Sequence, residues 1–312
     1  MVRLQIGYIS ITIYHIIFSG VKMFICSQCP RKCNIDRDSQ SGVCGVGKSY
    51  RIARAGLHFW EEPCISGEKG SGTVFFSGCP LKCVYCQNYN VSRCCFGRDV
   101  SEERLIEIFK ELEAQGAENI NLVSPSHYAV QLAKTLSKYK PSVPVVYNTG
   151  GYDSVETLKL LDGLVDIYLT DIKYVSSSVS KKYSRAEDYF EAASAAVLEM
   201  HRQQSTNVFE NGMMKKGLII RHLVLPGNVS QGIKVLDWIK ENLPEDTVIS
   251  LMGQYMPCAD AKDFPTINRR LTEREYDIVL SHAEKLGFEN VYIQELDSSS
   301  EEYIPDFDLS GV

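Results

Sequence analysis

The chain has 312 residues, enough for one large domain or two ordinary ones, and 44% of them are hydrophobic. Its net charge of −6, without a basic block, argues against a nucleic-acid-binding protein. The 11 cysteines are numerous, yet too sparse for a small disulfide scaffold. All but one lie between Cys26 and Cys95, which favours metal chemistry in a reduced, cytoplasmic setting over disulfides.

Residues 1–22 differ from the rest of the chain because they are rich in isoleucine and aromatic residues. Their length would admit a signal peptide or a membrane anchor. However, little positive charge precedes the apolar run, polar residues interrupt it, and it has no clear small-residue cleavage site. We therefore expect a misplaced start codon or a poorly ordered extension, and no association with a membrane.

The next segment, residues 23–70, is predicted to form a loop-rich N-terminal cap. Cys26, Cys29, Cys33 and Cys44 are spaced C-x2-C-x3-C-x10-C, and the residues around them are turn-rich with almost no apolar periodicity. Such a segment buries little core, so a bound metal could stabilise it. Four cysteines suffice for zinc or a fully ligated iron–sulfur cluster, and reduced cysteines packed in the cap are the alternative.

From Thr73 onward, short β-like runs alternate with amphipathic helical runs. We predict strands at 73–77, 119–123, 143–147, 165–170, 217–225, 247–252 and 291–294. We predict helices at 101–115, 127–139, 154–161, 189–202, 233–242 and 272–286. In addition, Asn211-Gly212 predicts a hairpin turn.

This alternation is typical of parallel βαβ units. About six units predict an α/β fold with a complete or partial (β/α)6 TIM-type barrel, and a doubly wound sheet is the alternative. We assign residues 71–256 to the barrel core and residues 257–312 to its C-terminal completion.

The loop after the first of these strands contains Cys79, Cys83 and Cys86, spaced C-x3-C-x2-C. Thiolates this close in one loop can converge on one centre, and sulfur ligands favour zinc, copper(I) or an iron–sulfur cluster. Structural zinc needs a fourth ligand, which Cys94 or Cys95 could supply. A four-iron cluster held by three thiolates instead keeps one iron open.

This motif, with aromatic Tyr85 before its last cysteine, resembles the signature of the radical S-adenosylmethionine (radical SAM) superfamily. Over residues 23–308 the chain also resembles a branch related to pyruvate formate-lyase activating enzyme (PflX-like). The closer likeness is carried by CSQCPRKC at 26–33, HFWEEPC at 58–64, FFSGC at 75–79, RHLVLPG at 221–227 and IQELD at 293–297.

The resemblance implies a [4Fe–4S] cluster held by Cys79, Cys83 and Cys86, with the open iron chelated by the amino and carboxylate groups of S-adenosylmethionine. Reductive cleavage would yield a 5′-deoxyadenosyl radical that abstracts hydrogen from a substrate, as in glycyl-radical enzyme activators. The substrate stays open between a protein and a small molecule, and an electron donor such as flavodoxin or ferredoxin is implied. A zinc-stabilised, non-catalytic binding protein is the alternative from another class.

Other expected cofactor-binding residues follow the later strands, at the end where a barrel places its active site. In activating enzymes an Asp-x-Lys element helps to hold the methionine carboxylate and the ribose, and Asp171 and Lys173 match it. Arg221 could meet the same carboxylate through its forked guanidinium. Tyr85 and Asn148 complete this set, and ordinary ion pairs are the alternative for the charged residues.

Two loops depart from the family pattern. Many members have a Gly-Gly-Glu-Pro-like loop after the second strand that contacts the methionine amino group, but this chain has Ser124-Pro125-Ser126-His127. Where activating enzymes often have Asp-Thr, it has Asn148-Thr149-Gly150, which makes a bound monovalent cation less expected. Glu61 and Glu62 form either an acidic rim of the pocket or a solvated turn, and the sequence identifies no catalytic residue.

Overall fold

The computed structural model describes residues 25–294, 296 and 305–312. The expectation for residues 1–22 therefore lies outside the described residues. None of the helices in the described ranges is both long enough and apolar enough to cross a membrane.

The strands in the described ranges are β1 (Tyr50–His58), β2 (Ser71–Phe76), β3 (Arg98–Val100), β4 (Ile120–Val123), β5 (Val145–Thr149), β6 (Ile167–Asp171), β7 (Val208–Glu210), β8 (Met213–Leu223), β9 (Val248–Met252) and β10 (Val291–Ile293). The helices are α1 (Pro63–Ser66), α2 (Tyr89–Ser92), α3 (Glu102–Ala114), α4 (Ala129–Lys138), α5 (Val155–Leu158), α6 (Ser177–Ser184), α7 (Tyr189–Gln203), α8 (Val229–Asn242) and α9 (Glu273–Lys285).

Strands β2, β4, β5, β6, β8, β9 and β10 lie side by side in that order, and every pair is parallel. Because their spatial order follows the sequence and never reverses, the sheet has no switch point of the kind found in a doubly wound fold. Within the described part of the chain, β10 and β3 are the two open edges of the sheet. The predicted partial barrel is confirmed.

The parallel strands form from short apolar runs because both of their faces are covered. Ile120 and Leu122 of β4 belong to the core between the sheet and the helices. On the helix side, α3 begins at Ser101, whose side chain accepts a hydrogen bond from the Arg104 amide, and it buries Leu105. The predicted helices on this face are confirmed, with bounds shifted by a few residues.

The antiparallel strands β1 and β3 and the helices α1, α2 and α6 were not predicted. Strand β1 pairs with β2, and β3 pairs with β1, so residues 50–58 extend the main sheet within the stretch expected to be loop-rich. The apolar pattern of β1 is interrupted by Arg51 and Arg54. Their guanidinium groups lie 3.1 and 3.2 Å from the carboxylates of Asp99 and Asp308, respectively. Helix α6 was missed because its sequence is rich in serine, a weak helix former. The domain boundaries at 70 and 256 stay predictions.

The segment between β1 and β2 fills the barrel at the amino ends of its parallel strands. His58 at the end of β1 pairs with Ser71 at the start of β2, which places the chain at that end. Helix α1 then packs Ile65, which is fully buried, against Val146 of β5 and Ile219 of β8. We refer to residues 59–66 as the plug.

Candidate active site

A cavity of about 280 Å³ opens at the carboxyl ends of the parallel strands, the end opposite the plug helix. Its wall includes every residue that the sequence assigned to the first metal centre and to cofactor binding. These residues are Cys79, Cys83, Tyr85, Cys86, Asn148, Asp171, Lys173 and Arg221. The structure therefore brings together side chains from the loop after β2 and from the ends of β5, β6 and β8.

The loop that contains the three cysteines is held by the N-terminal segment and by the end of α6. Gly78 adopts a φ of +85°, and a Cβ there would lie 2.7 Å from the carbonyl oxygen of Cys44. The Cys79 amide donates to that same carbonyl at 3.2 Å, and the Val84 amide donates to Tyr183 at 2.9 Å. These backbone hydrogen bonds hold the loop against both segments.

Cys83 is buried, Cys79 and Cys86 are partly buried, and the thiols have polar neighbours suited to sulfur ligands. Ser184 Oγ lies 3.0 Å from Cys83 Sγ, and Ser92 Oγ donates to Cys86 Sγ at 3.2 Å. Burial raises the pKa of Cys79 to about 11 and also raises the pKa of Cys83 and Cys86, while the positive charge of Lys173 lowers all three. Because burial disfavours the charged thiolates, their formation requires a positively charged centre nearby, which bound iron would supply.

Among the described residues, no three His, Cys, Asp or Glu side chains are placed to hold one metal ion. A four-iron cluster binds each thiolate through a different iron atom, so its ligands need not converge on one point. The three thiols of one loop, their hydroxyl neighbours and the adjacent lysine fit such a cluster in donor type.

Asp171 lies between two cations in the cavity wall. Its carboxylate pairs with Lys173 Nζ, and its Oδ1 lies 3.3 Å from Arg221 Nε. Burial alone would raise the pKa of Asp171, but the charges of Lys173 and Arg221 lower it below its usual value. The side chains of Asp171 and Lys173 are only 16% and 17% exposed, so this is a pocket pair and not an ordinary surface ion pair.

Arg221 has a second acidic partner, Glu61. From the sequence, this residue could belong either to an acidic rim of the pocket or to a solvated turn. Glu61 Oε2 lies 3.0 Å from Arg221 Nη1, while Glu61 Oε1 accepts from the side-chain amides of Asn121 and Asn148 at 3.1 Å each. Only 9% of the Glu61 side chain is exposed, so a solvated turn is wrong. The sequence signal for this role was a pair of acids within an aromatic and apolar run. Sequence alone could not show that one of these acids lies in the cavity wall.

Glu62 lies deeper, beneath the cavity, and is also nearly inaccessible to solvent. Its Oε2 is 3.9 Å from Arg221 Nη1 and has no hydrogen-bond partner among the described residues. Burial raises its pKa, which favours the neutral carboxylic acid, although the charge of Arg221 opposes that shift. The two adjacent glutamates thus have different environments, and only Glu61 is part of the cavity wall.

In this structure the side chains of Tyr85 and Asn148 each make a hydrogen bond with a neighbouring side chain. The Tyr85 hydroxyl bonds to that of Tyr174, which leaves the ring of Tyr85 as its contribution to the cavity wall. The side-chain oxygen of Asn148 accepts a hydrogen bond from Arg221 Nη2. Asn148 therefore orients the guanidinium, and its cofactor role stays a prediction.

The loop after β4 supports the cysteine loop from behind. His127 is buried, and its Nε2 lies 2.8 Å from the carbonyl oxygen of Ser77, which identifies it as the donor. Burial lowers the pKa of His127 to about 3, with the nearby charge of Arg37 acting in the same direction. Ser126 Oγ is engaged with Thr149 Oγ1 at 3.0 Å. This loop therefore brings no carboxylate to the cavity.

The four cysteines of the N-terminal segment, Cys26, Cys29, Cys33 and Cys44, lie together beside the cysteine loop. Burial raises the pKa of Cys29 to about 12, and the other three thiols add to this shift. A Cβ on Gly42 would lie 3.4 Å from the sulfurs of both Cys33 and Cys44. Cys94 and Cys95 do not form part of the cavity wall described above.

The chain matches known proteins over most of its length. The model of the radical SAM superfamily matches residues 73–224. The uncharacterized protein MJ0674 of Methanocaldococcus jannaschii is 32% identical over 277 residues, which cover 86% of this chain and 76% of that protein.

Two crystal structures of Streptococcus suis SuiB, one bound to S-adenosylmethionine and one to the precursor peptide SuiA, are 12% and 13% identical to this chain, each with a TM-score of 0.47. They align with 72% of this chain, which spans 50% and 48% of theirs. The superfamily match over β2 to β8, together with the three-cysteine loop and the relative that shares most of the chain, identifies this protein as a member of the radical SAM superfamily.

Proposed function

We propose that this protein cleaves S-adenosylmethionine reductively and uses the resulting 5′-deoxyadenosyl radical to abstract hydrogen from a substrate. The observation that carries the proposal is one cavity whose wall contains three thiols of a single loop together with Asp171 and Arg221. Membership of the superfamily favours this enzymatic function over a zinc-stabilised binding protein.

In this function each group of the cavity has a distinct task. Cys79, Cys83 and Cys86 would hold a [4Fe–4S] cluster, whose chemistry when bound is the one-electron reduction of S-adenosylmethionine. The guanidinium of Arg221 would bind the cofactor carboxylate, since its planar fork suits that group. Lys173, beside the thiols, lowers the cost of their negative charge.

The substrate class is proposed from the family likeness alone. The likeness to an uncharacterised branch related to pyruvate formate-lyase activating enzyme makes a glycyl-radical enzyme the first candidate target, and a small molecule is the second candidate. An electron donor such as flavodoxin or ferredoxin would reduce the cluster. Deuterium recovered in 5′-deoxyadenosine from a labelled candidate substrate would identify the target directly.

The N-terminal cysteines are proposed to hold a second iron–sulfur cluster, whose irons bind the thiolates separately. Zinc is the second candidate, and it would require these thiols to converge more closely than they do among the described residues. Support comes from the grouping of Cys26, Cys29, Cys33 and Cys44, and from the hydrogen bond that the Cys44 carbonyl receives from the Cys79 amide. A metal there would stabilise a segment with little apolar core and, through it, the catalytic loop. Metal analysis of a Cys29→Ala variant should show loss of this metal only.

The decisive experiment is anaerobic reconstitution with iron and sulfide, followed by addition of dithionite and S-adenosylmethionine. We expect about four irons at the three-cysteine loop and release of 5′-deoxyadenosine. A Cys83→Ala variant should lose both, whereas Cys94→Ala, at an exposed cysteine, should lose neither. A reconstituted cluster without S-adenosylmethionine binding would refute the proposal, and zinc without iron or sulfide would favour the binding protein.

A further inference from the structure

Two tyrosines and a serine form a chain of hydroxyl groups that ends at a sulfur of the three-cysteine loop. The Tyr85 hydroxyl bonds to that of Tyr174. Tyr174 Oη lies 3.1 Å from Ser184 Oγ, which in turn lies 3.0 Å from Cys83 Sγ. All four residues are buried, so bulk water does not compete for these contacts. We refer to the hydroxyl groups of Tyr85, Tyr174 and Ser184 as the hydroxyl chain.

The position of Ser184 does not depend on its own hydroxyl group. Ser184 is the last residue of α6, and the helix ends there because Arg185 takes a left-handed conformation with a φ of +55°. Arg31 Nη1 donates to the carbonyl oxygen of Arg185 at 2.7 Å, and Arg31 Nε donates to that of Pro80, in the three-cysteine loop, at 2.9 Å. The end of α6 is therefore held against this loop by other groups, which leaves the Ser184 hydroxyl for a separate role.

The direction of donation along the chain follows if Cys83 is a ligand of iron. An iron-bound thiolate has no proton and can only accept, so Ser184 must donate its single hydroxyl proton to Cys83 Sγ. The Ser184 oxygen then accepts from Tyr174, and the Tyr174 oxygen accepts from Tyr85. Burial holds the pKa of both tyrosines well above the usual value, so both keep a proton to donate near neutral pH. Every hydroxyl of the chain thus donates toward the sulfur.

A chain with this direction favours negative charge at the sulfur of Cys83. Hydrogen bonds to the sulfur ligands help to set the reduction potential of an iron–sulfur cluster, because reduction increases the negative charge that these sulfurs share. Successive hydrogen bonds polarise one another, and the low dielectric of a buried site strengthens them. The hydroxyl chain would therefore stabilise the reduced state more than the oxidised state.

We propose that Ser184, supported by Tyr174 and Tyr85, donates a hydrogen bond to Cys83 Sγ and thereby raises the reduction potential of the cluster at the three-cysteine loop. Ser184 acts through Cys83 and is not part of the cavity wall, so it is a positioning residue. This inference rests on the proposed function, because it concerns the cluster of the same site. It assigns a role to the end of the serine-rich helix α6.

The test measures the reduction potential of the reconstituted protein, by anaerobic dithionite titration followed by EPR, in the absence of S-adenosylmethionine. Ser184→Ala removes the donor to Cys83. It should shift the reduction equilibrium toward the oxidised form about 3- to 10-fold, the value of one uncharged hydrogen bond. For a one-electron couple, this shift lowers the potential by about 30–60 mV.

A second variant tests the chain beyond its last member. Tyr174→Phe keeps the hydrogen bond between Ser184 and Cys83 and removes only the group that polarises it. We therefore expect a shift in the same direction but smaller than that of Ser184→Ala. If Ser184→Ala does not take up the cluster, Tyr174→Phe decides the question, and an unchanged potential in that variant would overturn the inference.

The matched control is Ser180→Ala, one turn earlier in the same helix. Ser180 is as fully buried as Ser184, but its hydroxyl donates to the carbonyl oxygen of Ser177 at 3.1 Å, within α6. The potential of this variant should equal the wild-type value. An equal shift in Ser180→Ala and Ser184→Ala would overturn the inference, because the packing of α6 and not the hydroxyl would then be responsible.

A potential of Ser184→Ala equal to the wild-type value would also overturn the inference. These results are distinguishable from failure of the proposed function, because the potential is measured without S-adenosylmethionine. Release of 5′-deoxyadenosine by the wild-type protein would leave the proposed function standing in each case. A wild-type cluster that does not bind S-adenosylmethionine would refute the proposed function, whereas the expected shifts in potential would still support the role of Ser184.

Discussion

Replacement of Arg37 by methionine should loosen both the N-terminal segment and the loop that contains Cys79, Cys83 and Cys86. Arg37 is only 2% exposed. Its Nη1 donates to the carbonyl oxygen of His127 at 2.5 Å, its Nη2 donates to that of Gly47, and its guanidinium lies 5.2 Å from the ring centroid of Tyr128. Since His127 in turn supports Ser77 at the end of β2, the arginine connects these two parts of the molecule.

The magnitude follows from these contacts. Hydrogen bonds from a charged donor contribute about 1.5–3 kcal/mol each, and a desolvated cation–π contact contributes about 2 kcal/mol. The methionine keeps most of the volume and avoids the cost of burying a charge, which offsets part of the loss. We therefore expect the free energy of unfolding to fall by about 3–5 kcal/mol, a large part of a typical total of about 5–15 kcal/mol.

Urea denaturation of the metal-free protein would measure this change, and limited proteolysis would show whether residues 26–48 open first. Arg104→Met is the matched control, because Arg104 pairs with Glu111 at the surface and should cost less than about 1 kcal/mol. A loss below about 0.5 kcal/mol for Arg37→Met would refute the view that this arginine couples the two segments.

Three further predictions concern the plug, acid stability and backbone geometry. Ile65→Ala should lower the free energy of unfolding by about 2–5 kcal/mol and weaken S-adenosylmethionine binding, because it disturbs the plug; urea titration and calorimetry test this. Burial lowers the pKa of His222 to about 4, so the unfolded chain takes up the proton first as pH falls from about 6.5, and stability should drop by roughly 2–3 kcal/mol by pH 4. His222→Gln should flatten that part of the stability–pH profile. An unchanged slope would contradict the claim that protonation of His222 causes this loss of stability. Gly151→Ala would place a Cβ 2.2 Å from the Asp171 carbonyl oxygen and should abolish cofactor binding or folding, whereas Gly212→Ala, with open space, should cost only about 1 kcal/mol in the same assays.

Local sequence was sufficient to predict the features that depend on short-range patterns. The spacing of Cys79, Cys83 and Cys86 indicated three ligands in one loop, and the loop indeed follows the first parallel strand. Apolar periodicity located the later strands and helices of the barrel because each buries one continuous face. The Asn211-Gly212 turn was predicted for a similar reason, since both residues take the positive φ that a two-residue hairpin requires.

Contacts between distant residues were decided only by the tertiary structure. Strand β1 was hidden because Arg51 and Arg54 are satisfied by partners far along the chain. Likewise, no local pattern indicates that Glu61 meets Arg221, which lies 160 residues later. The sequence by itself determined the cysteine motif, the order of the strands and their helices. The tertiary structure decided the position of the plug, and therefore which carboxylates line the cavity. Both depend on how the strands enclose a common interior, which is a property of the packed barrel and not of any one segment.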